Sequence, residues 1–202
     1  MKRLCFTFFL MFGWWIACLA AVPQDAQTLV KDTADKVIAR VKAEREELRA
    51  NPLRLHTLVD ELIFPHFDFV RISQWVLGKH WREASPQQKA RFIEEFRKLL
   101  IRTYAMALLE YADHTIRYLP VRAETDSKNV TVKTEVEEIG NTTVPIYYRL
   151  HVKDDGWKVY DVSVDGVSLV STYRSTFASE IRQGGLDTLI KNLATKNTER
   201  KK

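Results

Sequence analysis

The chain has 202 residues, and its 31 lysines and arginines against 26 aspartates and glutamates give a net charge of +5. This length suits a single domain, and a small basic excess spread along the chain does not make a nucleic-acid-binding footprint, so no nucleic-acid partner is predicted. The two cysteines, Cys5 and Cys18, lie near the N-terminus, which excludes a disulfide or a cysteine-ligated zinc from the rest of the chain.

The N-terminal segment has the layout of a secretory signal peptide. Two basic residues precede an apolar run from 4 to 22 that ends in small residues, so residues 1–20 are predicted to be a signal peptide, cleaved after Ala20. A retained membrane anchor is the alternative, because the run approaches the ~20 residues that span a bilayer, and lipidation at Cys18 stays open. Cleavage would lower the net charge to +3, since the segment carries two basic and no acidic residues.

Helical periodicity and capping signals organise the first half of the chain. One apolar stripe predicts a long first helix from Asp25 to Arg49. Asn51-Pro52 supplies an N-cap and a first-turn proline for a second helix, which ends before Pro65. The first helix carries lysine, arginine and glutamate on its other faces.

Two further helices are predicted from their first residues. Asp68 is placed to cap a short helix that ends at Gly78. The segment 85–88, Ser-Pro-Gln-Gln, has the layout of a capping box with proline at the first helical position. It opens the longest predicted helix, which runs to about Tyr111.

The hydrophobic period then changes to two, which is typical of strands with one buried face. Asp155-Gly156 indicates a tight hairpin and Gly140-Asn141 a looser turn. The strands are predicted at 115–121, 130–136, 144–152 and 157–164.

Helical spacing returns beyond Gly166, and Gly184-Gly185 is predicted to separate two final helices. Helices followed by an antiparallel meander and then by helices predict an α+β fold. Residues 21–195 are predicted to form this single domain, and residues 196–202 a solvated polar tail.

The candidate reactive residues give little support for catalysis or metal binding. The histidines lack the i, i+4 pairing of a helical zinc site, and a capping role for Asp68 explains its spacing from His66, so no metal is predicted. Residues 166–170 lack the second glycine of a nucleophile elbow. Asp161 and Asp165 are candidates for an acid and a base, although carboxylates at a strand and its turn more often accept backbone hydrogen bonds or pair with arginine.

The apolar surface allows two interpretations. A strand face over 144–152, set opposite a helix face with Tyr104, Leu108 and Tyr111, would ordinarily form packed core. Alternatively, the sheet and the helices stand apart and enclose a mostly apolar ligand cavity. Periodicity does not separate these two interpretations.

Two long segments resemble signatures of one protein family. FDFVRISQWVLGKHWREASPQQKARFIEEFRKLLIRTYA, residues 67–105, resembles the central signature of the MlaC family, also called toluene-tolerance auxiliary proteins. WKVYDVSVDGVSLVSTYRSTF, residues 157–177, resembles the second signature, and the closing GGLDTLIKNL also looks familial. Thr172 departs from the pattern, where many members have asparagine.

The resemblance implies a helical domain packed on a curved antiparallel sheet of about four strands, enclosing an apolar lipid cavity. It implies a periplasmic phospholipid carrier of Gram-negative bacteria, not an enzyme, that has a diacyl phospholipid as cargo and no cofactor. Such a carrier shuttles lipid between an outer-membrane lipoprotein-porin complex and the periplasmic ring of the inner-membrane Mla ABC transporter, which maintains outer-membrane asymmetry. A monomer is predicted.

Signature alignment and amphipathic phase predict the lipid-binding residues. The alternatives are an NTF2-like periplasmic enzyme that uses Asp161 as a base on an apolar substrate, and a structural adaptor with a dry core. The predicted lipid-binding residues are Tyr104, Leu108, Tyr111, Val132, Ile146, Tyr148, Leu150, Val167, Val170 and Tyr173.

Overall fold

The structure, a computed structural model, describes residues 25–121, 128–137 and 142–198. The predicted signal peptide and the Gly140-Asn141 turn lie outside the described residues. The helices are α1 (Ala26–Ala43), α2 (Arg45–Ala50), α3 (Pro52–Leu62), α4 (Phe69–Leu77), α5 (Lys79–Glu83), α6 (Pro86–Tyr111) and α7 (Leu169–Thr198), with a 3-10 turn at Phe64–His66. Within the described ranges, none of the helices is long and apolar enough to cross a membrane.

The strands form one antiparallel sheet in chain order, which confirms the predicted α+β fold. They are β1 (Thr115–Tyr118), β2 (Asn129–Glu137), β3 (Thr143–Lys153), β4 (Gly156–Val164) and β5 (Val167–Ser168). The fifth strand has only two residues and adds to the four that periodicity predicts. Whether the sheet and helices enclose a cavity stays a prediction.

Local capping signals set the helix starts, as predicted. The Asn51 side chain accepts a hydrogen bond from the Leu53 N–H at 3.1 Å, and Asp68 caps α4. At α6 both bonds of the capping box form: Ser85 N–H donates to the Gln88 side chain at 2.9 Å, and Gln88 N–H donates to the Ser85 hydroxyl at 3.2 Å. These bonds satisfy N–H groups that have no partner inside the helix.

The predicted single helix from Asp25 to Arg49 is wrong at Glu44. This residue leaves the helical region, with φ −115° and ψ 20°, and separates α1 from α2. Its carboxylate pairs with Arg40 and, from α3, with Arg54. The contact to α3 is tertiary, so helical periodicity does not encode the break.

The final helical segment, α7, consists of two helices that meet at a kink. Gly185 has φ 80° and ψ 172° inside α7, a conformation that glycine reaches without a side-chain penalty. The predicted separation at Gly184-Gly185 is therefore present as a kink. The helix continues to Thr198, three residues into the segment predicted to be a polar tail.

Register gives the sheet one apolar and one polar face. Val132, Tyr148 and Val162 lie side by side on β2, β3 and β4, and directly paired residues share a face. The apolar face carries Ile116, Tyr118, Val130, Val132, Thr134, Val136, Val144, Ile146, Tyr148, Leu150, Val152, Trp157, Val159, Val162 and Val164. The polar face carries Thr131, Lys133, Tyr147, Arg149, His151, Lys158, Asp161 and Ser163.

The buried carboxylate of Asp68 joins α4 to the polar face. One oxygen accepts the Arg71 N–H at 3.0 Å, which caps the helix. The other lies 3.0 Å from His151 Nε2 and 3.4 Å from Lys153 Nζ, both on β3. The Asp68 N–H donates to the Val159 carbonyl at 2.9 Å, so the same residue also contacts β4.

A second buried carboxylate, Asp161, joins α7 to the polar face. Its Oδ1 accepts the Val170 N–H at 3.2 Å and its Oδ2 accepts the Ser168 hydroxyl at 2.8 Å. Arg149 lies beside it at 3.7 Å. The first turn of α7 is thus fixed by a strand residue eight positions before the helix begins.

Two apolar clusters form the core of the described residues. The sheet cluster joins the first turns of α1 to the apolar face and is centred on Ala26, Val30, Val132, Leu150 and Val159. The helical cluster packs α1, α3, α4, α6 and α7 around the buried rings of Phe92, Phe96 and Phe177. Phe67 contacts both clusters.

The pH dependence of stability tests the junction of His151 with Asp68. Burial, and then the charge of Arg71, lower the pKa of His151 against the opposing effect of Asp68. The folded protein therefore binds fewer protons than the unfolded chain just below the ordinary histidine pKa of about 6.5. The stability that this pKa difference contributes to the fold is present above about pH 6.5, and it is lost as the pH falls through the lowered pKa of His151. Replacing His151→Asn should lower the unfolding free energy near neutral pH and weaken this loss.

Urea unfolding of the two proteins from about pH 8 to about pH 5 checks this expectation. The stability advantage of the wild type over His151→Asn should shrink as the pH falls. His56 and His66, whose pKa values burial also lowers, are present in both proteins and cancel in this difference. An advantage that stays constant with pH would contradict the assignment.

Candidate functional site

The two faces of the sheet are covered differently. α4 and α7 lie on the polar face, through Asp68 and Asp161. On the apolar face, α1 covers the end that contains Val132 and Leu150, both fully buried. At the other end Val144 and Ile146 are half-buried, Val164 is 38% exposed and Val167 is 59% exposed. We call these last four residues the apolar rim.

Strand register brings the members of the apolar rim together. Ile146 pairs with Val164, and Val164 pairs with Val167, while Val144 lies two residues before Ile146 on the same face. An exposed aliphatic surface is thereby built from β3, β4 and β5. Val164 is not among the predicted site residues, although its strand period of two could have indicated it.

A tight turn presents Val167 at the sheet edge. Asp165 and Gly166 have φ of 49° and 77°, and positive φ at both central residues defines the hairpin turn that Asp-Gly favours. The Asp165 N–H donates to the Pro145 carbonyl at 2.9 Å, which holds the turn against the start of β3. Beyond it, the bond from Ser168 to Asp161 directs the chain into α7.

The helical side of the site continues from this turn. Val170 is buried in the helical cluster, and the ring of Tyr173 lies 5.0 Å from that of Phe96. Burial, followed by a hydrogen bond with Tyr104, raises the pKa of Tyr173. Tyr104 is itself 39% exposed, so the pair joins the helical cluster to the surface of α6.

The remaining predicted residues divide between the two clusters. Leu108 packs on the helical cluster and Tyr148 on the sheet cluster. Ile146 and Tyr111 belong to neither cluster among the described residues, and the Tyr111 ring lies 5.1 Å from that of His114. The predicted set thus contains buried core, at Val132, Leu150 and Val170, as well as partly exposed apolar surface.

Two tyrosines, Tyr118 and Tyr148, lie on the apolar face of the sheet. Burial raises the pKa of Tyr148, and a hydrogen bond with Thr134 opposes that effect. Burial, with Asp35 and Tyr148 nearby, raises the pKa of Tyr118 to about 12. In the part of the chain that the structure describes, the buried Tyr118 hydroxyl has no hydrogen-bond partner. Sequence reasoning placed Tyr118 on a strand but did not identify it as a site residue.

Asp161 has the structural role that carboxylates at strand ends commonly have. Both of its oxygens accept hydrogen bonds and Arg149 lies nearby, as the sequence interpretation expected. By register it lies on the polar face, whereas Tyr148 and Val162 mark the apolar one. Among the described residues no group of three histidine, cysteine, aspartate or glutamate side chains could bind a metal ion.

The fold and the site together define an α+β protein whose meander carries helices on its polar face and a partly uncovered apolar rim on the other. The family model described as "MlaC protein" matches residues 31–195. The chain therefore belongs to the MlaC family.

Known relatives agree with this assignment. The chain is 29% identical over 170 residues to the toluene tolerance protein ttg2D of Pseudomonas putida, covering 84% of this chain and 79% of the relative. It is 24% identical over 186 residues to the intermembrane phospholipid transport system binding protein MlaC of Haemophilus influenzae, covering 90% and 86%.

A solved structure is also similar to this fold. It is the phospholipid-binding protein from Ralstonia solanacearum in complex with a phospholipid, with 36% sequence identity and a TM-score of 0.81. The match covers 86% of this chain and 97% of that one.

Removing the Asp161 carboxylate should destabilise the protein. Asp161→Ala leaves the Val170 N–H and the Ser168 hydroxyl without their acceptor, and we expect a loss of about 2 kcal/mol of unfolding free energy. Urea unfolding measures the loss. The control Asp154→Ala, at an exposed turn, should stay within about 0.5 kcal/mol of the wild type. Equal losses in the two variants would contradict the role assigned to Asp161.

Proposed function

We propose that this protein is a periplasmic phospholipid carrier, which takes a diacyl phospholipid as cargo and uses no cofactor. The observation that carries the proposal is the Ralstonia relative, which is in complex with a phospholipid and shares the fold at 36% identity. The predicted signal peptide supports a periplasmic location. The name of the Haemophilus relative supports a role in intermembrane phospholipid transport.

The physical requirement of such a carrier is apolar surface rather than reactive groups. Each buried methylene is worth about 0.8 kcal/mol, so two acyl chains do not cross water unaided at useful rates. A carrier covers the chains without making or breaking a bond. Its affinity has to match that of a membrane only approximately, which leaves release possible.

The ten predicted lipid-binding residues have two roles in this proposal. The partly exposed ones contact the acyl chains directly, and they are Tyr104, Leu108, Tyr111, Ile146, Tyr148, Val167 and Tyr173. Val164, which is not one of the ten, joins this group. The buried Val132, Leu150 and Val170 support them from behind. The carrier works as a monomer that exchanges lipid with an outer-membrane lipoprotein-porin complex and with the periplasmic ring of the inner-membrane Mla transporter, and so maintains outer-membrane asymmetry.

Native mass spectrometry of the mature protein, purified from a Gram-negative periplasm, tests the proposal directly. We expect one diacyl phospholipid per chain, identified after solvent extraction. A ligand-free protein that also takes up no lipid from phosphatidylethanolamine vesicles would overturn the carrier function.

A charged residue in the apolar rim should remove the cargo. Val167→Glu sets a carboxylate against acyl chains, and desolvating it costs more than the ~1.4 kcal/mol of a tenfold change in affinity. We therefore expect roughly tenfold less co-purified lipid, with the fold retained. The control Val70→Glu changes a valine on α4 that is 48% exposed, and it should leave the lipid content normal. Equal lipid in the two variants would remove Val167 from the site.

A further inference from the structure

A second concave surface lies on the polar face of the sheet, away from the apolar rim. It is a pocket of about 420 Å³, with Asp68 at its base. The pocket is lined from α4 by Val70, Arg71, Gln74 and Trp75, and from β3 by His151 and Lys153. We call it the α4 pocket.

The carboxylate of Asp68, which lines the α4 pocket, already has hydrogen-bond and ion-pair partners. Asp68 accepts the Arg71 N–H with one oxygen, while its other oxygen lies 3.0 Å from His151 and 3.4 Å from Lys153. The carboxylate therefore serves the junction between α4 and β3. It does not neutralise the guanidinium of Arg71.

Within the described residues, that guanidinium contacts two aromatic rings and forms no ion pair. It lies 4.5 Å from the ring centre of Tyr160 and 5.4 Å from that of Trp75. No carboxylate of the described residues lies within ion-pair distance of it. A guanidinium that packs its flat face on a ring keeps the N–H groups along its edge free to donate. Two of these N–H groups can form parallel hydrogen bonds to one carboxylate.

Apolar side chains and a further cation surround this edge. Val70 is 48% exposed and Trp75 is 39% exposed, and the Trp75 ring is fixed at 5.0 Å from Tyr160. Lys153, which also lines the pocket, adds a further cation and lies 3.4 Å from Asp68. Tryptophan, tyrosine and arginine around a concave site are the residues that dominate binding energy in protein interfaces.

We propose that the α4 pocket docks an acidic segment of a partner protein. A partner carboxylate binds the Arg71 guanidinium, and a neighbouring apolar side chain packs on Val70 and Trp75. This inference rests on the proposed function, since a carrier must bind the membrane complexes with which it exchanges lipid. Because the apolar rim and the α4 pocket lie on opposite faces of the sheet, docking here leaves the rim uncovered.

A bilayer surface fits the α4 pocket less well than a protein does. Membranes are bound by protruding basic and aromatic side chains. Here the guanidinium lies beside the rings of Tyr160 and Trp75 in a concave site, and Trp75 packs against Tyr160. Such a site suits a projecting carboxylate with an apolar side chain beside it.

Two variants with matched controls test the docking surface. Arg71→Gln removes the cation, and Arg182→Gln removes an exposed arginine from α7. Gln74→Glu adds a negative charge at an exposed position in the pocket, where it would repel an acidic partner. Glutamine and glutamate have similar helix propensities, and the control Gln183→Glu adds the same charge on α7. Binding is measured by biolayer interferometry to the purified inner-membrane transporter and to the outer-membrane lipoprotein-porin complex of the same organism.

Both pocket variants should weaken binding to at least one complex by roughly tenfold. The two controls should stay within about twofold, and the difference should narrow as salt is raised. Arg71→Lys should recover only part of the binding, because an ammonium keeps the charge but not the planar fork. Thermal melting should show that all variants are folded.

Unchanged affinity of both pocket variants for both complexes would overturn the inference. So would an effect seen only with vesicles of phosphatidylethanolamine and phosphatidylglycerol, which would assign the pocket to a membrane surface. Native mass spectrometry separates this outcome from failure of the carrier function. The pocket variants should retain normal lipid, whereas failure of the carrier function would appear as a lipid-free wild type.

Discussion

Two buried aspartates determine how the helices meet the sheet. A helix begins with N–H groups that have no partner within it, and Asp68 and Asp161 each supply such a partner while remaining attached to β3 or β4. Both lie on the polar face, so α4 and α7 are fixed there. Among the described residues, the first turns of α1 cover one end of the apolar face, and its far end keeps the apolar rim.

Much of the fold could be predicted because its signals are local. The caps at Asn51, Asp68 and Ser85 involve residues two or three positions apart, and a strand period of two needs no knowledge of the partner strand. The break at Glu44 and the short strand β5 could not be predicted in the same way. They depend on contacts with Arg54 and with β4, which sequence spacing does not reveal.

The candidate site shows the same limit on what local sequence signals can predict. Leu150 and Val167 follow similar apolar patterns, yet the first is fully buried and the second is 59% exposed. What separates them is the position of α1, whose Ala26 and Val30 pack over one end of the sheet alone. The MlaC resemblance indicated which segments to consider for the site, but which of their residues form surface depends on this long-range packing.

The bulge in β4 determines which residues of that strand face the apolar side of the sheet. Arg149 pairs with Asp161 and Leu150 with Val159, so Tyr160 is an extra residue that packs with the helices. Before the bulge odd-numbered residues face the apolar side, and after it even-numbered ones do. Deleting a regularly paired residue such as Lys158 or Val162 would reverse the alternation of the residues beside it, whereas deleting Tyr160 would keep Val159 and Asp161 on their own faces and would remove the ring that packs with the helices. The bulge is therefore the one place in the described part of β4 where the strand could change its length by a residue without changing which side chains face the apolar side.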